Sequence, residues 1–222
     1  MMSHFLTRLQ PLRLSAALLA AAAIALGVVS CGDGDGEPYP PLVTEMVMSS
    51  GDEMAVFSTF TTDDGHTYKM ANTLQGTTPN VRWRFLCGYV VEGEGTARVY
   101  IFRRVPLLAD VSRAREVRHD PTGLASVWQS GGFVNMHLLP KTQGGQQAWG
   151  LSRDSAHING AGGTNYFISV CHHQLSDPAA YSDDLFVSID PDTVAATRQP
   201  SDSLILSLFT FDGWRTWRFP AD

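Results

Sequence analysis

Val81-Arg82-Trp83-Arg84-Phe85-Leu86-Cys87-Gly88-Tyr89-Val90-Val91, then Glu92-Gly93-Glu94-Gly95, then Thr96-Ala97-Arg98-Val99-Tyr100-Ile101-Phe102-Arg103-Arg104 form one continuous stretch. Two runs rich in β-branched and aromatic residues flank an acidic, glycine-containing turn, the pattern of a long antiparallel hairpin. Successive strand residues point to opposite faces, so Arg82, Arg84 and Leu86 share one face and Trp83, Phe85 and Cys87 the other. In the returning run Ala97, Val99, Ile101 and Arg103 alternate with Arg98, Tyr100 and Phe102. Beyond residue 30 no stretch keeps a helical period, and the fold class is all-β.

Upstream of this hairpin, Thr44–Met48 and Glu53–Thr62 read as strands, the second with Met54, Val56, Ser58, Phe60 and Thr62 on one face. Asp63-Asp64-Gly65-His66 supplies the positive φ of a tight turn, and Thr67–Asn72 returns from it. Pro106 to Val117 reads as a loop with one further strand. About five strands in residues 43–118 fit a small, partly open barrel. After His119-Asp120-Pro121 come Leu124–Gln129, Phe133–Pro140, Gln147–Arg153, Tyr166–His173, Leu185–Ile189, Leu204–Phe211 and Arg215–Phe219. They are punctuated by Gly131-Gly132, Gly144-Gly145, Asn159–Gly163, Asp177-Pro178, Asp190-Pro191 and Asp212-Gly213. Short strands at this spacing make residues 119–222 an immunoglobulin-like antiparallel β-sandwich.

The other end of the chain speaks to location. Arg8 and Arg13 precede Ala16–Val29, which carries no charge and no side-chain hydrogen-bonding group. As a helix this run would cover ~21 Å, short of the ~30 Å that a spanning segment must cross, so residues 1–30 read as a removed secretory signal. Val28-Val29-Ser30-Cys31 resembles the lipobox of bacterial lipoproteins. The resemblance implies cleavage before Cys31, a diacylglycerol thioether on its sulfur and further acyl chains such as palmitate, hence a lipid-anchored envelope protein. An ordinary signal peptide with a chance cysteine is the alternative. Several chains at ~0.8 kcal/mol per buried CH₂ hold a protein to a bilayer far more firmly than one does. Gly32-Asp33-Gly34-Asp35-Gly36-Glu37 and Pro38-Tyr39-Pro40-Pro41 make residues 31–42 an extended tether. The acidic run resembles signals that send Bacteroidetes lipoproteins to the outer face of the outer membrane; a calcium loop on Asp33 and Asp35 is a second reading of it.

The whole chain has 16 basic and 22 acidic residues; losing Arg8 and Arg13 with the signal leaves 14 against 22, a formal charge of −8. Such a balance gives nucleic acid no overall attraction. Of the three cysteines, Cys87 and Cys171 remain once Cys31 is lipidated; they could pair in an oxidising compartment, but they lie in different expected domains, which argues against a bond.

Several segments together resemble the NigD-like lipoproteins of Bacteroidetes. They are Asp64-Gly65-His66-Thr67-Tyr68, Asp120-Pro121 through Ser126-Val127-Trp128, Gly132-Phe133-Val134-Asn135-Met136, Lys141-Thr142-Gln143-Gly144-Gly145, and His173-Gln174-Leu175-Ser176-Asp177-Pro178 with Tyr181. The resemblance implies an N-terminal OB-like domain followed by a β-sandwich, in agreement with the strand reading, and carries no activity or catalytic residue with it.

Chemistry is sparse. Residues 82–118 hold eight arginines against Glu92, Glu94, Asp110 and Glu116, a local charge of +4. On an OB-like barrel, Arg82, Arg84, Arg98 and Arg103 with Trp83, Tyr100 and Phe102 could form a groove for an anionic polymer; the same pattern also describes any half-buried strand. Cys171-His172-His173 is a poor metal motif, because adjacent strand residues face opposite ways. Trp128-Gln129-Ser130-Gly131-Gly132 lacks the first glycine of a nucleophile elbow. Glu92 and Glu94 belong to a turn, His119 to a domain junction, and Trp128, Trp149, Trp214 and Trp217 are core candidates that could alternatively stack on sugars. No cofactor or metal is expected. The expectation is a non-enzymatic binding or accessory protein at the outer membrane, on the cell surface or its periplasmic face, acting toward a glycan, peptide or envelope protein. An envelope hydrolase with dispersed residues, or a bacteriocin-associated maturation or immunity factor, are the alternatives.

Overall fold

A computed structural model describes residues 41–114, 116–195 and 197–221. The signal segment, Cys31, residues 32–40 of the tether and Arg115 lie outside the described residues.

The first body is a closed five-stranded barrel made of β1 (Val43–Ser50), β2 (Val56–Thr62), β3 (Thr67–Gln75), β4 (Arg82–Gly93) and β5 (Thr96–Val105), in the order β1-β2-β3-β5-β4. Only β3 and β5 run parallel; β4 closes the barrel against β1 along Val43–Ser50. Val47, Phe57, Phe60, Phe85, Cys87 and Tyr89 fill its interior. Phe85 stacks on Phe102 at 3.8 Å and meets the edge of Phe57 at 5.2 Å. Trp83, Phe85 and Cys87 point inward as the alternation requires.

Two irregularities break the expected alternation. In β5, Val99 pairs with Tyr89 and Ile101 with Gly88, so Tyr100 is an extra residue without a partner. This bulge turns Phe102 inward and leaves Tyr100 64% and Ile101 41% exposed. In β2 the register shifts between Phe57 and Thr59, so Phe57, Phe60 and Thr62 are buried while Ser58 faces out. The strand also starts at Val56, because the Asp52 carboxylate accepts from the amides of Met54 and Val56 and Ala55 sits at φ 60°.

The second body is a sandwich. One sheet holds β6 (Gly123–Ser130), β7 (Phe133–Leu139) and β12 (Leu185–Ile189). The other holds β9 (Ala148–Ile158), β10 (Thr164–His173), β13 (Ser203–Thr210) and β14 (Gly213–Pro220), in the order β14-β13-β10-β9. A short pair, β8 (Lys141–Thr142) with β11 (Tyr181–Ser182), closes one end. Val134, Met136 and Leu138 of β7 meet Ile168 and Val170 of β10 and Leu204, Leu206 and Leu208 of β13 in the core. The sandwich is not wholly antiparallel: Asn165–Ser169 pair in parallel with Ser203–Ser207. The chain leaves β10, spends β12 in the facing sheet, and β13 then lies beside β10 in the same direction.

Among the described residues, 106–114 and 116–122 form no barrel strand. They cross the sandwich as a strap, with Leu108 in its core. Its backbone exchanges hydrogen bonds with Ser188 of β12, Leu151 of β9, His172 of β10 and Phe209 and Phe211 around the end of β13. Close approach over β9 requires Gly150, where a Cβ would lie 2.7 Å from a methyl of Val111 and 3.1 Å from the Ala109 carbonyl. Gly150→Val should lift the strap and lower stability by about 1–3 kcal/mol, the usual range for overpacking. Denaturant unfolding checks this, and an unchanged midpoint would contradict the close approach.

Candidate functional site

Barrel and sandwich meet along the outer faces of β1 and β4 and the outer face of the β6-β7-β12 sheet. While Val134, Met136 and Leu138 point into the sandwich, Asn135 points out, and its register partner on β12 is Ser188. Against this pair lies Arg84, 1% exposed. Its guanidinium donates two bonds to Asp63, Nη1 to Oδ1 at 2.8 Å and Nη2 to Oδ2 at 2.6 Å. Nε reaches Ser188 Oγ at 3.0 Å and Asn135 Oδ1 at 3.2 Å, and Nη2 also reaches Asn135 Oδ1 at 3.0 Å. The ring closes through Ser130, whose hydroxyl donates to Asp63 Oδ2 at 2.6 Å and accepts from Asn135 Nδ2 at 3.0 Å. Phe133 lies under the cation, its centroid 4.3 Å from Cζ. Gly131, at φ 59°, leaves room for this contact, since a Cβ there would lie 2.3 Å from Asp63 Oδ1.

Above this floor opens a cleft of about 720 Å³. Met46 and Leu86, register partners on β1 and β4, form the barrel wall; Trp128 and Phe186 form the sandwich wall, and Asp64 stands at the rim. Asp64 lies below the usual carboxylate range because the Thr62 hydroxyl and His66 donate to it.

The arginines expected to line a groove do not form one. Arg84 faces the sandwich and is enclosed, because the face of β4 opposite the barrel core is covered and not solvated. Arg98 is held by Glu92, which lies not in the turn, as its sequence suggested, but within β4; the turn itself is Glu94-Gly95. Arg103 reaches over Phe186 at 5.2 Å, adding a second contact between barrel and sandwich. Arg104 covers Trp83 at 4.0 Å. Arg82 is exposed at the start of β4.

Cys87 and Cys171 are free thiols, buried in barrel and sandwich respectively. Burial pushes them to about 12 and about 11, far from a nucleophilic thiolate. Among the described residues no cluster of three His, Cys, Asp or Glu side chains could hold a metal ion. Trp149 and Trp217 pack on the sandwich core, whereas Trp214 is 55% exposed.

A second polar centre is Asp177. Its carboxylate accepts from Thr142 Oγ1, the Gln143 and Gly145 amides and Gln147 Nε2, at 2.6, 2.9, 3.1 and 2.7 Å, and so shapes the loop after β8. The Thr142 hydroxyl above all, then the Gln143 amide, hold its carboxyl down at about 2.

The sequence matches no protein-family model and no curated protein. Its fold, a closed OB-like barrel joined to a β-sandwich, is found in solved proteins of Bacteroidetes species. A NigD-like immunity protein from Bacteroides caccae is similar over 84% of this chain and 100% of its own, with TM-score 0.62 and 20% identity. A putative toxin-related protein from Parabacteroides distasonis matches 82% of this chain and 95% of its own, with TM-score 0.64 and 14% identity. A putative lipoprotein from Bacteroides fragilis matches 82% and 99%, with TM-score 0.60 and 13% identity.

Arg84→Met leaves Asp63 facing the sandwich without its counter-charge and should cost about 3–5 kcal/mol of unfolding free energy, the range for breaking a buried pair from one side. A loss below 1 kcal/mol would show the pair to be dispensable. Asp177 sets an acid limit. Its folded value lies below the ordinary 3.8, so its contribution is complete above about 4 and disappears as the pH falls toward about 2. In Asp177→Asn the extra loss of stability across that window should vanish; an unchanged pH profile would contradict the assignment.

Proposed function

We propose that this chain is a NigD-like envelope lipoprotein, anchored through Cys31, that recognises a peptide segment without catalysing a reaction on it, in the cleft between barrel and sandwich. The observation that carries the reading is the distribution of polarity in that cleft. Its walls are mainly Met46, Leu86, Trp128 and Phe186, with Thr44 beside them, while its carboxylates and serine are engaged within the protein: Asp63 and Ser130 on the floor with Arg84 and Asn135, Asp64 with Thr62 and His66, and Glu45 with the Tyr89 hydroxyl. Apolar walls with a few placed polar groups suit aliphatic and aromatic side chains. A sugar would instead call for several converging unsatisfied donors and acceptors. The hydrolase alternative is disfavoured at the one serine in the cleft: the Ser130 hydroxyl donates to a carboxylate that is itself held by a guanidinium, and accepts from an amide.

Neighbours described as an immunity protein and as toxin-related fit recognition of a peptide or protein, and a neighbour described as a lipoprotein fits the anchor. Eleven residues, hence twelve Cα–Cα steps, lie between Cys31 and Val43, where β1 begins. Fully extended they reach about 40 Å. Because Thr44 and Met46 of that strand line the cleft, an anchored Cys31 keeps the cleft close to the bilayer. The outer membrane, at its surface face, is the proposed location.

Two measurements test the reading. Cys31→Ser should move the protein from the membrane fraction to the soluble fraction; unchanged sedimentation with envelopes would remove the anchor. A photo-crosslinking residue at Trp128 or Leu86 in the full-length protein on cells should yield peptide adducts. The same residue at Tyr100, outside the cleft, should not. Equal labelling at both places, or turnover of an envelope polymer by the purified protein, would overturn the proposal.

A further inference from the structure

His172, on β10, is 1% exposed, and both of its ring nitrogens face hydrogen-bond acceptors. Nδ1 lies 3.0 Å from the Asp120 carbonyl oxygen in the strap, and Nε2 lies 2.9 Å from Gln147 Oε1. The orientation of the Gln147 amide is set by its other end. Its nitrogen sits 2.9 Å from the Lys141 carbonyl and 2.7 Å from Asp177 Oδ2, both of which only accept. Turning the amide over would put oxygen against oxygen twice, so the amide oxygen must face His172. A neutral imidazole has one N–H and can satisfy only one of the two contacts. An imidazolium satisfies both.

We propose that His172 is a proton-operated switch. Its neutral form bonds the strap alone, and its charged form also bonds Gln147, linking the strap to the loop that Asp177 shapes. The strap carbonyl is the fixed partner, because the His172 amide donates to Arg118 and the His172 carbonyl accepts from the Asp120 amide, which hold strap and strand in register. The neutral ring therefore carries its proton on Nδ1 and turns a lone pair toward the Gln147 oxygen. Adding a proton to Nε2 makes that repulsive contact a charge-assisted bond and completes a path from Asp120 through His172 and Gln147 to Asp177.

The groups that surround the ring bear on the charge in opposite senses. Trp149 of β9 stacks on the imidazole at 3.9 Å and 11°, an arrangement that favours a cation. Asp120 on the strap and Asp177 beyond Gln147 also favour it. His173 next along β10 opposes it, and Cys171 stays neutral. Glu116 and Arg118 of the strap, paired with each other at 2.6 Å, line a 160 Å³ cavity that reaches His172 and gives the proton a route in. Burial outweighs the favourable contacts and holds the ring below the ordinary imidazole range. The switch therefore works below about pH 6.5. Stability is complete above that value and declines as the pH falls through the lowered folded value, with the Gln147 bond offsetting part of the decline. Gln147 also lines an open hollow of about 260 Å³ with Asp183 and Asp184, so its state is felt at the surface.

Nitrogen-15 spectra of the imidazoles in the full chain, recorded through an acid titration, decide the matter. The expected result is a His172 ring with its proton on Nδ1 at pH 7.5 and a midpoint below 6.5. The side-chain amide signals of Gln147 should move with the same midpoint. Gln147→Leu should lower that midpoint by about one unit, a tenfold weaker proton affinity, as expected for one charge-assisted hydrogen bond. A proton on Nε2 at pH 7.5, or Gln147 signals that ignore the titration, would overturn the proposal in the unaltered protein. An unchanged midpoint in Gln147→Leu would overturn it independently.

Discussion

One buried cation ties this molecule together. Arg84 comes from the barrel and Asn135 and Ser188 from the sandwich, while Asp63 arrives from the β2–β3 hairpin. Taking a guanidinium and a carboxylate out of water costs several kcal/mol per ion, and only near-complete hydrogen bonding offsets that. Here both carboxylate oxygens and three guanidinium nitrogens are engaged, with Phe133 beneath the cation. Such a cluster adds little net stability over an apolar interface of equal volume, but it tolerates very few alternative arrangements. A one-residue slip of β4 would turn Arg84 into the barrel core and Phe85 toward Asn135. The cluster thus specifies how the two bodies meet more than how tightly they hold.

From that junction follows the geometry of the cleft. Met46 and Leu86 belong to the same barrel face as Arg84, and Trp128 and Phe186 to the same sandwich face as Asn135 and Ser188. The cluster sets the separation of these walls, and Arg103 over Phe186 and the strap of residues 106–122 reinforce it. The strap, in turn, is tied to β10 at His172, so the protonation of one buried ring bears on a segment that runs from the barrel across the whole sandwich.

Much of the architecture is legible from residue pattern alone. The Val81–Arg104 hairpin, the Asp64-Gly65 turn and the alternation of β7 lead to an all-β chain with a barrel before a sandwich, because side-chain period and turn chemistry are local properties. The slips have local causes too, visible only with the partner strand present. The unpaired Tyr100 reverses the inward face of β5 so that Phe102, not Ile101, enters the core. The parallel pairing of β10 with β13 and the strap in place of a further barrel strand depend on which edges lie near one another, which periodicity does not encode. The site was the least legible part. Arg84 looks like every other arginine on a half-buried strand, and its burial follows only from a second body covering that face. Asp63 looks like the first residue of a turn, and Asp177 like an ordinary turn residue before Pro178. The extra aspartate in Asp63-Asp64-Gly65, where a tight turn needs one, was the nearest thing to a signal.

If the Arg84 cluster makes barrel and sandwich one cooperative structure, the two should open together. Native-state hydrogen exchange across a denaturant series measures this directly. The slowest amides of β2 and β4 should converge on the same opening free energy as those of β7 and β12, equal to that of global unfolding. A distinctly lower opening free energy for the barrel amides, with the sandwich still protected, would mean that the two bodies fold independently and that the buried cation does not couple them.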